Sequence, residues 1–220
     1  MLVDDHPLVR ERLGEVINRE KDMEVCGEAE ERSQAIDLIK QTMPDLAIVD
    51  ITLKNSDGLE LIKDIRSRWP KLAMLVVSMH DETLYAERVL RAGARGYITK
   101  QEATRNILIA IRRILDGQIY LNERVATQIL TRIASHGTAP STNLHPTDIL
   151  ADRELQVFEL TGRGLNGREI AERLHIAVKT VETYRARIRE KLNLKDGSEL
   201  LQLAITWTHQ QSLPDNASRL

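Results

Sequence analysis

Four short apolar runs, each ending on a chemically active residue, constrain this chain more than any other feature. Met1-Leu2-Val3 leads into Asp4-Asp5, and Leu46–Val49 leads into Asp50. Met74-Leu75-Val76-Val77 ends at Ser78, and Gly96–Thr99 ends at Lys100. Amphipathic stretches of helical length lie between them. Unbroken apolar runs alternating with helices describe a parallel sheet covered on both faces. The working site of such a sheet lies beyond the carboxyl ends of its strands. One rim therefore receives three carboxylates, a hydroxyl and an amine. Carboxylate oxygens suit a hard divalent cation. An aspartate oxygen can attack phosphorus once the repulsion between two anions is offset by positive charge.

The helical periodicities fill in the rest. Val9, Leu13, Val16 and Ile17 share one face of a first helix, over residues 7–20. Val25-Cys26-Gly27-Glu28 reads as a second strand. Ser33 is placed to cap a helix carrying Ala35, Leu38 and Ile39. Gly58 opens a helix holding Leu59, Ile62, Ile65 and Trp69, and a later one holds Leu84, Val89 and Leu90. The last helix of this set carries Ile107, Leu108, Ile111 and Leu115 and stops at Gly117. Residues 125–134 predict one more helix. Residues 135–143 are small and polar without apolar period, which is linker composition. From about Leu150 the apolar spacing is helical throughout.

Composition removes several function classes. The single cysteine, Cys26, allows neither an internal disulfide nor a cysteine metal cluster. No run approaches the ~20 apolar residues of a membrane helix, and no opening stretch resembles a signal peptide. A soluble, cytoplasmic protein with no membrane partner is the expectation. The net charge of −2 is unevenly spread. Residues 1–118 hold 18 Lys+Arg against 21 Asp+Glu, whereas residues 178–193 hold five basic side chains against two acidic ones. The second of these segments is a helix with a basic face.

Val3-Asp4-Asp5-His6-Pro7, Val49-Asp50, Gly58-Leu59-Glu60, Val77-Ser78 and Gly96-Tyr97-Ile98-Thr99-Lys100 together resemble the receiver domain of bacterial two-component response regulators. The resemblance covers residues 1–118. It implies a doubly wound, flavodoxin-like five-stranded parallel sheet. It further implies Asp50 as phosphoacceptor and Asp4, Asp5, Asp50 and the backbone carbonyl of Thr52 as Mg2+ ligands. Ser78 and Lys100 would contact the phosphoryl group, and Tyr97 would be the aromatic whose inward or outward position reports activation. The chain departs from many relatives at Leu53-Lys54, where they have Met-Pro. Thr52 occupies the position whose side chain tunes removal of the phosphate by water. The implied arrangement makes the first strand internal, so its neighbours need its backbone partners. Three residues before Asp4 span only about 10 Å, and an apolar extension ahead of them is expected to raise thermal stability.

In the C-terminal part, Leu155, Val157, Phe158 and Leu160 give one buried face, and Ile170, Ala171 and Leu174 a second. Asn166 and Glu169 have capping-box spacing. After a brief turn, His175-Ile176-Ala177, a longer helix points Val181, Ile188 and Leu192 inward. Lys179, Glu182, Thr183, Ala186, Arg187 and Glu190 point outward, as in a helix-turn-helix. Ala177 starts this helix without a side-chain cap. Arg153-Glu154-Leu155-Gln156-Val157, Glu169-Ile170-Ala171-Glu172-Arg173-Leu174, Lys179-Thr180-Val181-Glu182 and Arg185-Ala186-Arg187-Ile188 resemble the LuxR-type DNA-binding domain. The resemblance implies that Glu182, Thr183 and Ala186 face base edges, and that Lys179, Thr180, Tyr184, Arg185 and Arg187 contact phosphates. A last helix with Leu200, Leu201, Ala204 and Trp207 would pair two copies.

The expected organisation is a receiver at 1–118, a linker with one helix at 119–147, a small all-α helix-turn-helix domain at 148–210 and a tail at 211–220. Receiver plus LuxR-type domain implies a response regulator of the NarL/FixJ type. A sensor histidine kinase would phosphorylate Asp50, and a homodimer would then bind double-stranded DNA at paired half-sites. A regulator working without phosphorylation is the alternative. A phosphohydrolase is disfavoured, because position 52 is threonine where an acid/base carboxylate is needed.

Overall fold

The computed structural model describes residues 1–54, 56–80, 82–135 and 146–212. The expected linker at 135–143 and tail at 211–220 lie largely outside these residues. The chain forms two compact units, Met1–Pro140 and Ser141–Leu220.

The first unit is built on a five-stranded parallel sheet of order β2-β1-β3-β6-β7. The strands are β1 (Leu2–Val3), β2 (Glu28–Ala29), β3 (Leu46–Val49), β6 (Ala73–Ser78) and β7 (Gly96–Thr99). β4 (Thr52–Leu53) and β5 (Ser56–Asp57) form a small antiparallel pair just beyond β3. The helices are α1 (Pro7–Asn18), α2 (Arg32–Thr42), α3 (Gly58–Arg68), α4 (Glu82–Ala92), α5 (Lys100–Leu115) and α6 (Glu123–Ser135). Every residue of β3 and β6 is buried, as two-sided coverage requires. Alternate strand residues Leu2, Ile48, Leu75, Val77 and Ile98 pack with Leu13 and Ile17 of α1 and Ile107, Ile111 and Ile114 of α5. Each such aliphatic side chain contributes roughly 1.5–3 kcal/mol through burial.

β1 is short, as expected, and pairs on both sides: Leu2 with Glu28 and Ile48, Val3 with Ala29 and Val49. The Met1 ammonium donates to the Leu46 carbonyl at 3.1 Å, and burial lowers its pKa. A cavity of about 500 Å³, lined by Met1, Cys26, Leu46 and Ile111 among others, opens at this end of the sheet.

Four local expectations are corrected. The second strand lies at Glu28–Ala29 and shares only Glu28 with the expected segment. Asn18 instead takes the Val25 N–H at 2.8 Å, and Gly27 only offers its carbonyl to Leu2. Ser33 does not cap α2: Glu31 is the N-cap residue, with no side-chain cap bond, and the Ser33 hydroxyl donates to Glu31 Oε1 at 2.7 Å. On α5 the buried position is Ile114, while Leu115 is 47% exposed. Trp69 ends α3 as its C-cap and is half-buried.

Gly58 is fixed by a close approach. A Cβ there would lie 1.9 Å from the Asp50 carbonyl oxygen and 2.8 Å from Ile51 Cα. The Gly58 N–H donates to the Ile51 carbonyl at 2.8 Å, and Asp57 caps α3 by accepting from Leu59 N at 2.8 Å. The first turn of α3 is thereby pressed against the backbone that carries Asp50.

The second unit contains α7 (Pro146–Ile149), α8 (Asp152–Gly162), α9 (Gly167–Arg173), α10 (Val178–Lys191) and α11 (Gly197–Ser212). Leu155, Phe158, Ile170, Val181, Ile188 and Trp207 are buried in it. The Phe158 and Trp207 rings meet at 5.4 Å, and a Cβ at Gly162 would lie 2.3 Å from the Ala204 carbonyl, so α8 and α11 are in close contact. The capping box forms: Asn166 Oδ1 accepts from Arg168 N and Glu169 N, and Glu169 Oε2 accepts from Asn166 N at 2.7 Å. The turn into α10 passes through His175 in the left-handed region, at φ 52°.

Candidate functional site

The strand ends deliver their side chains to one rim. Asp4 follows β1, Asp50 follows β3, Ser78 closes β6, and Lys100 opens α5 immediately after β7. Asp4 is 5% exposed and Asp50 3%. The Lys100 ammonium lies 2.7 Å from Asp50 Oδ2 and 2.7 Å from Asp4 Oδ2. It is also 3.4 Å from His6 Nδ1, which lies 2.7 Å from Asp5 Oδ1. Thr52 N donates to Asp50 Oδ1 at 3.4 Å.

The charges do not balance within this group. Asp4, Asp5 and Asp50 against Lys100 leave −3 + 1 = −2 with His6 neutral. Burial raises the Asp50 carboxyl above its ordinary value; Lys100 opposes this, the neighbouring Asp4 carboxylate adds to it, and hydrogen bonds from Lys100 and Ser78 work against it. Burial acts against the Lys100 charge as well, but the Asp50 and Asp4 carboxylates outweigh it and raise the pKa. Ligand atoms of Asp4, Asp5, His6 and Asp50 lie within 4.8 Å of one another. An excess of two negative charges on hard oxygen atoms fits a divalent cation such as Mg2+.

Tyr97 is buried and inward. Its hydroxyl donates to the His80 carbonyl at 2.9 Å. His80 N donates to Ser78 Oγ at 3.4 Å, the His80 ring nitrogen Nε2 lies 3.0 Å from the Thr52 hydroxyl, and the ring packs 4.8 Å from that of Tyr85. The sequence presents His6 only within the Val3–Pro7 segment, with no role of its own, and does not point to His80. Each stands two residues beyond a rim residue, Asp4 or Ser78.

The second candidate surface is α10. Lys179, Glu182, Thr183, Ala186 and Arg187 are exposed, while Thr180, Tyr184 and Arg185 are half-buried. Val181 and Ile188 point into the core, and Leu192 is half-buried at the C-cap. Glu182 pairs with Arg185 at 3.0 Å, and the Thr183 hydroxyl donates to the Lys179 carbonyl at 3.0 Å. Ala177 is the N-cap residue and supplies no side-chain bond.

The expected pairing surface on α11 needs correction. Leu200, Ala204 and Trp207 are buried in the unit's own core, Ala204 against Gly162 and Trp207 against Phe158. Only Leu201 of the four is exposed, at 43%, and Ile205 four residues on is exposed as well. The apolar stripe at spacing 200, 204, 207 is the one that the helix spends on packing against α8.

Comparison with known proteins follows this division. Residues 1–112 match the response regulator receiver domain family, and residues 148–204 match the bacterial regulatory proteins of the luxR family. The oxygen regulatory protein NreC of Staphylococcus haemolyticus is 31% identical over 207 residues, covering 93% of this chain and 95% of that protein. The crystal structure of a LuxR-family two-component response regulator from Aurantimonas sp. SI85-9A1 is 34% identical, with a TM-score of 0.57 over 61% of this chain and 96% of that one. Salmonella enterica serovar Typhimurium RcsB, solved on the rprA promoter with a phosphomimetic, shares the fold at 24% identity and a TM-score of 0.58, over 93% of this chain and 96% of its own. No helix among the described residues is long and apolar enough to cross a membrane. The chain belongs to the two-component response regulators that join a receiver to a LuxR-type helix-turn-helix domain, which are phosphorylation-dependent transcription factors.

Proposed function

We propose that Asp50 is the phosphoacceptor of this regulator and that a sensor histidine kinase is its donor. The observation that carries this is the buried Asp50 carboxylate held 2.7 Å from Lys100 at the sheet rim, beside Asp4. An Asp50 oxygen attacks phosphorus, the bond from phosphorus to the donor nitrogen breaks, and the donor imidazole leaves. Lys100 stands ready to pair with the transferred group and Ser78 to donate a hydrogen bond to it. Asp4, Asp5, Asp50 and the Thr52 carbonyl would hold Mg2+, which when bound offsets the repulsion between carboxylate and phosphoryl oxygens. The group is a switch and not a turnover centre: position 52, two beyond the acceptor, offers a hydroxyl and no acid/base carboxylate.

The output follows from α10. Glu182, Thr183 and Ala186 read bases in the major groove, and Lys179, Thr180, Tyr184, Arg185 and Arg187 position the helix on phosphates. Two copies pair on activation through the exposed Leu201 and Ile205 side of α11, not through its buried stripe, and so meet paired half-sites. The compartment is the cytoplasm, where kinase and DNA are both reached. Intact-mass measurement after acetyl phosphate and Mg2+ treatment tests the acceptor. The wild-type chain gains one phosphoryl group and Asp50→Asn gains none, because an amide is not a competent nucleophile. An equal gain in the variant would refute the assignment.

A further inference from the structure

Arg10 sits in α1, six residues beyond Asp4, and its side chain is only 11% exposed. Its guanidinium joins separate stretches of the chain. Nη1 donates to the Asp4 carbonyl at 2.6 Å, Nε to Glu28 Oε2 at 3.2 Å and Nη2 to Glu30 Oε1 at 3.0 Å. A guanidinium holds its N–H donors in a rigid plane, so acceptors on all sides at once leave it one orientation. The Asp4 carbonyl belongs to the peptide unit between Asp4 and Asp5. That unit is planar, so a donor fixed on its oxygen fixes the Asp5 nitrogen as well. Asp4 N donates to the Ala29 carbonyl at 3.0 Å, so the Asp4 backbone is held at both of its polar groups.

Glu30 ties a second ligand-bearing segment to the same place. Lys54 follows β4, two residues beyond Thr52. Its N–H donates to the Glu30 carbonyl at 3.3 Å, and its ammonium donates to Glu30 Oε2 at 3.4 Å. The proline that many relatives have at this position could not make the first bond, because proline has no N–H. The carboxylates of Glu28 and Glu30 cancel the charges of Arg10 and Lys54. The group therefore adds little net field to the rim, and what it supplies is position.

We propose that Arg10, clamped by Glu28 and Glu30, is a positioning residue for the cation site. It sets the Asp4–Asp5 peptide and, through Glu30 and Lys54, holds that peptide at a fixed spacing from the Asp50–Thr52 segment. Arg10 touches no cation; it acts through the direction in which Asp5 leaves β1. Hydrogen bonds that aim metal-binding side chains are worth about 10- to 100-fold in affinity. The sign of the change separates position from charge. If charge alone mattered, removing a positive group beside the rim would strengthen its attraction for a divalent ion. Removing a positioning group weakens binding instead. This rests on Asp4, Asp5 and Asp50 being the cation ligands.

Mn2+ titration of the full chain tests it, with the free ion read by electron paramagnetic resonance, since oxygen sites that suit Mg2+ also suit Mn2+. The wild type binds the ion, and Asp5→Ala loses it. Arg10→Ala and Arg10→Lys each bind about 10- to 100-fold more weakly, the lysine because an ammonium lacks the planar fork that spans these acceptors. Arg12→Ala removes an exposed positive charge, paired with Glu15, from the same helix and keeps the wild-type affinity. Wild-type or tighter binding by either Arg10 variant overturns the positioning role. Should Arg10→Ala fail to fold, Arg10→Lys decides alone. A wild type that binds no Mn2+, or an Asp5→Ala that binds as the wild type does, overturns the cation assignment first, and the role of Arg10 with it.

Discussion

Gly58→Ala separates the packing argument for the acceptor site from its charge argument. The added Cβ meets the Asp50 carbonyl oxygen at 1.9 Å and Ile51 Cα at 2.8 Å, and both are backbone atoms that cannot rotate away. Ordinary carbon–oxygen contact is more than 1 Å longer, so either the first turn of α3 or the Asp50 backbone must shift by about that amount. Overpacking of this kind costs about 1–3 kcal/mol, and rigid backbone on both sides puts this site at the upper end. For a domain of this size that is a fall in melting temperature of roughly 6–12 °C. If the acceptor backbone takes part of the shift, acetyl phosphate labelling slows too, since a 1 Å misplacement near a reacting group can cost ~100-fold in rate. Gly197→Ala is the control: nothing lies within 4 Å of a Cβ there, and it opens α11. Thermal unfolding and the time course of phosphoryl uptake are the two measurements. Gly58→Ala with unaltered melting and unaltered labelling would refute the claim that this contact positions Asp50.

Three further outcomes are expected. Asp50 has its folded-state pKa raised above an ordinary value of 3.8, so without divalent cation its contribution to stability is present below that value and lost as pH rises through the folded pKa; Asp50→Asn removes this decline and melts higher than wild type at pH 7, which pH-dependent unfolding checks. Arg187→Ala weakens binding to every duplex and lowers the salt slope by about 0.9, whereas Thr183→Ala changes preference among sites more than affinity, as titrations on specific and random DNA at several salt concentrations will tell. Ala177→Ser supplies α10 with the missing cap, stabilising it by about 0.5–2 kcal/mol and slowing exchange of the Lys179 amide; the Thr180 N–H already reaches the Ala177 carbonyl at 2.9 Å, so a rate change confined to Thr180 would contradict the capping argument.

What the sequence made legible follows from how many residues share each signal. β3 and β6 were readable because burial on both faces leaves an unbroken apolar run, and that same burial fixes which residue stands first beyond each strand. Asp50 and Ser78 could thus be placed without any knowledge of partners. β2 was not readable in place: its two residues are Glu28 and Ala29, and only pairing to β1 defines it. The β4–β5 pair likewise has two residues a side, too few for any period to be seen. His6 and His80 carry no periodic signal at all, since loop geometry alone brings them to the rim.

On α11 the apolar pattern is plain in the sequence, but the pattern alone does not say whether it faces the helix's own domain or a second copy. Leu200, Ala204 and Trp207 recur at helical spacing, and such a stripe belongs first to the helix's own domain. A small domain has too little core to leave its best apolar face for a partner. Gly162 makes the same point from the opposite side, since its missing side chain lets α8 come within reach of the Ala204 carbonyl. A pairing face must then be sought among apolar residues that break the core period. Leu201 and Ile205, four apart and both exposed, meet that condition. The rule applies equally to α6: Val125 is spent on the receiver while Leu130 remains 67% exposed, so the docked side of the linker helix and its free side are distinct surfaces.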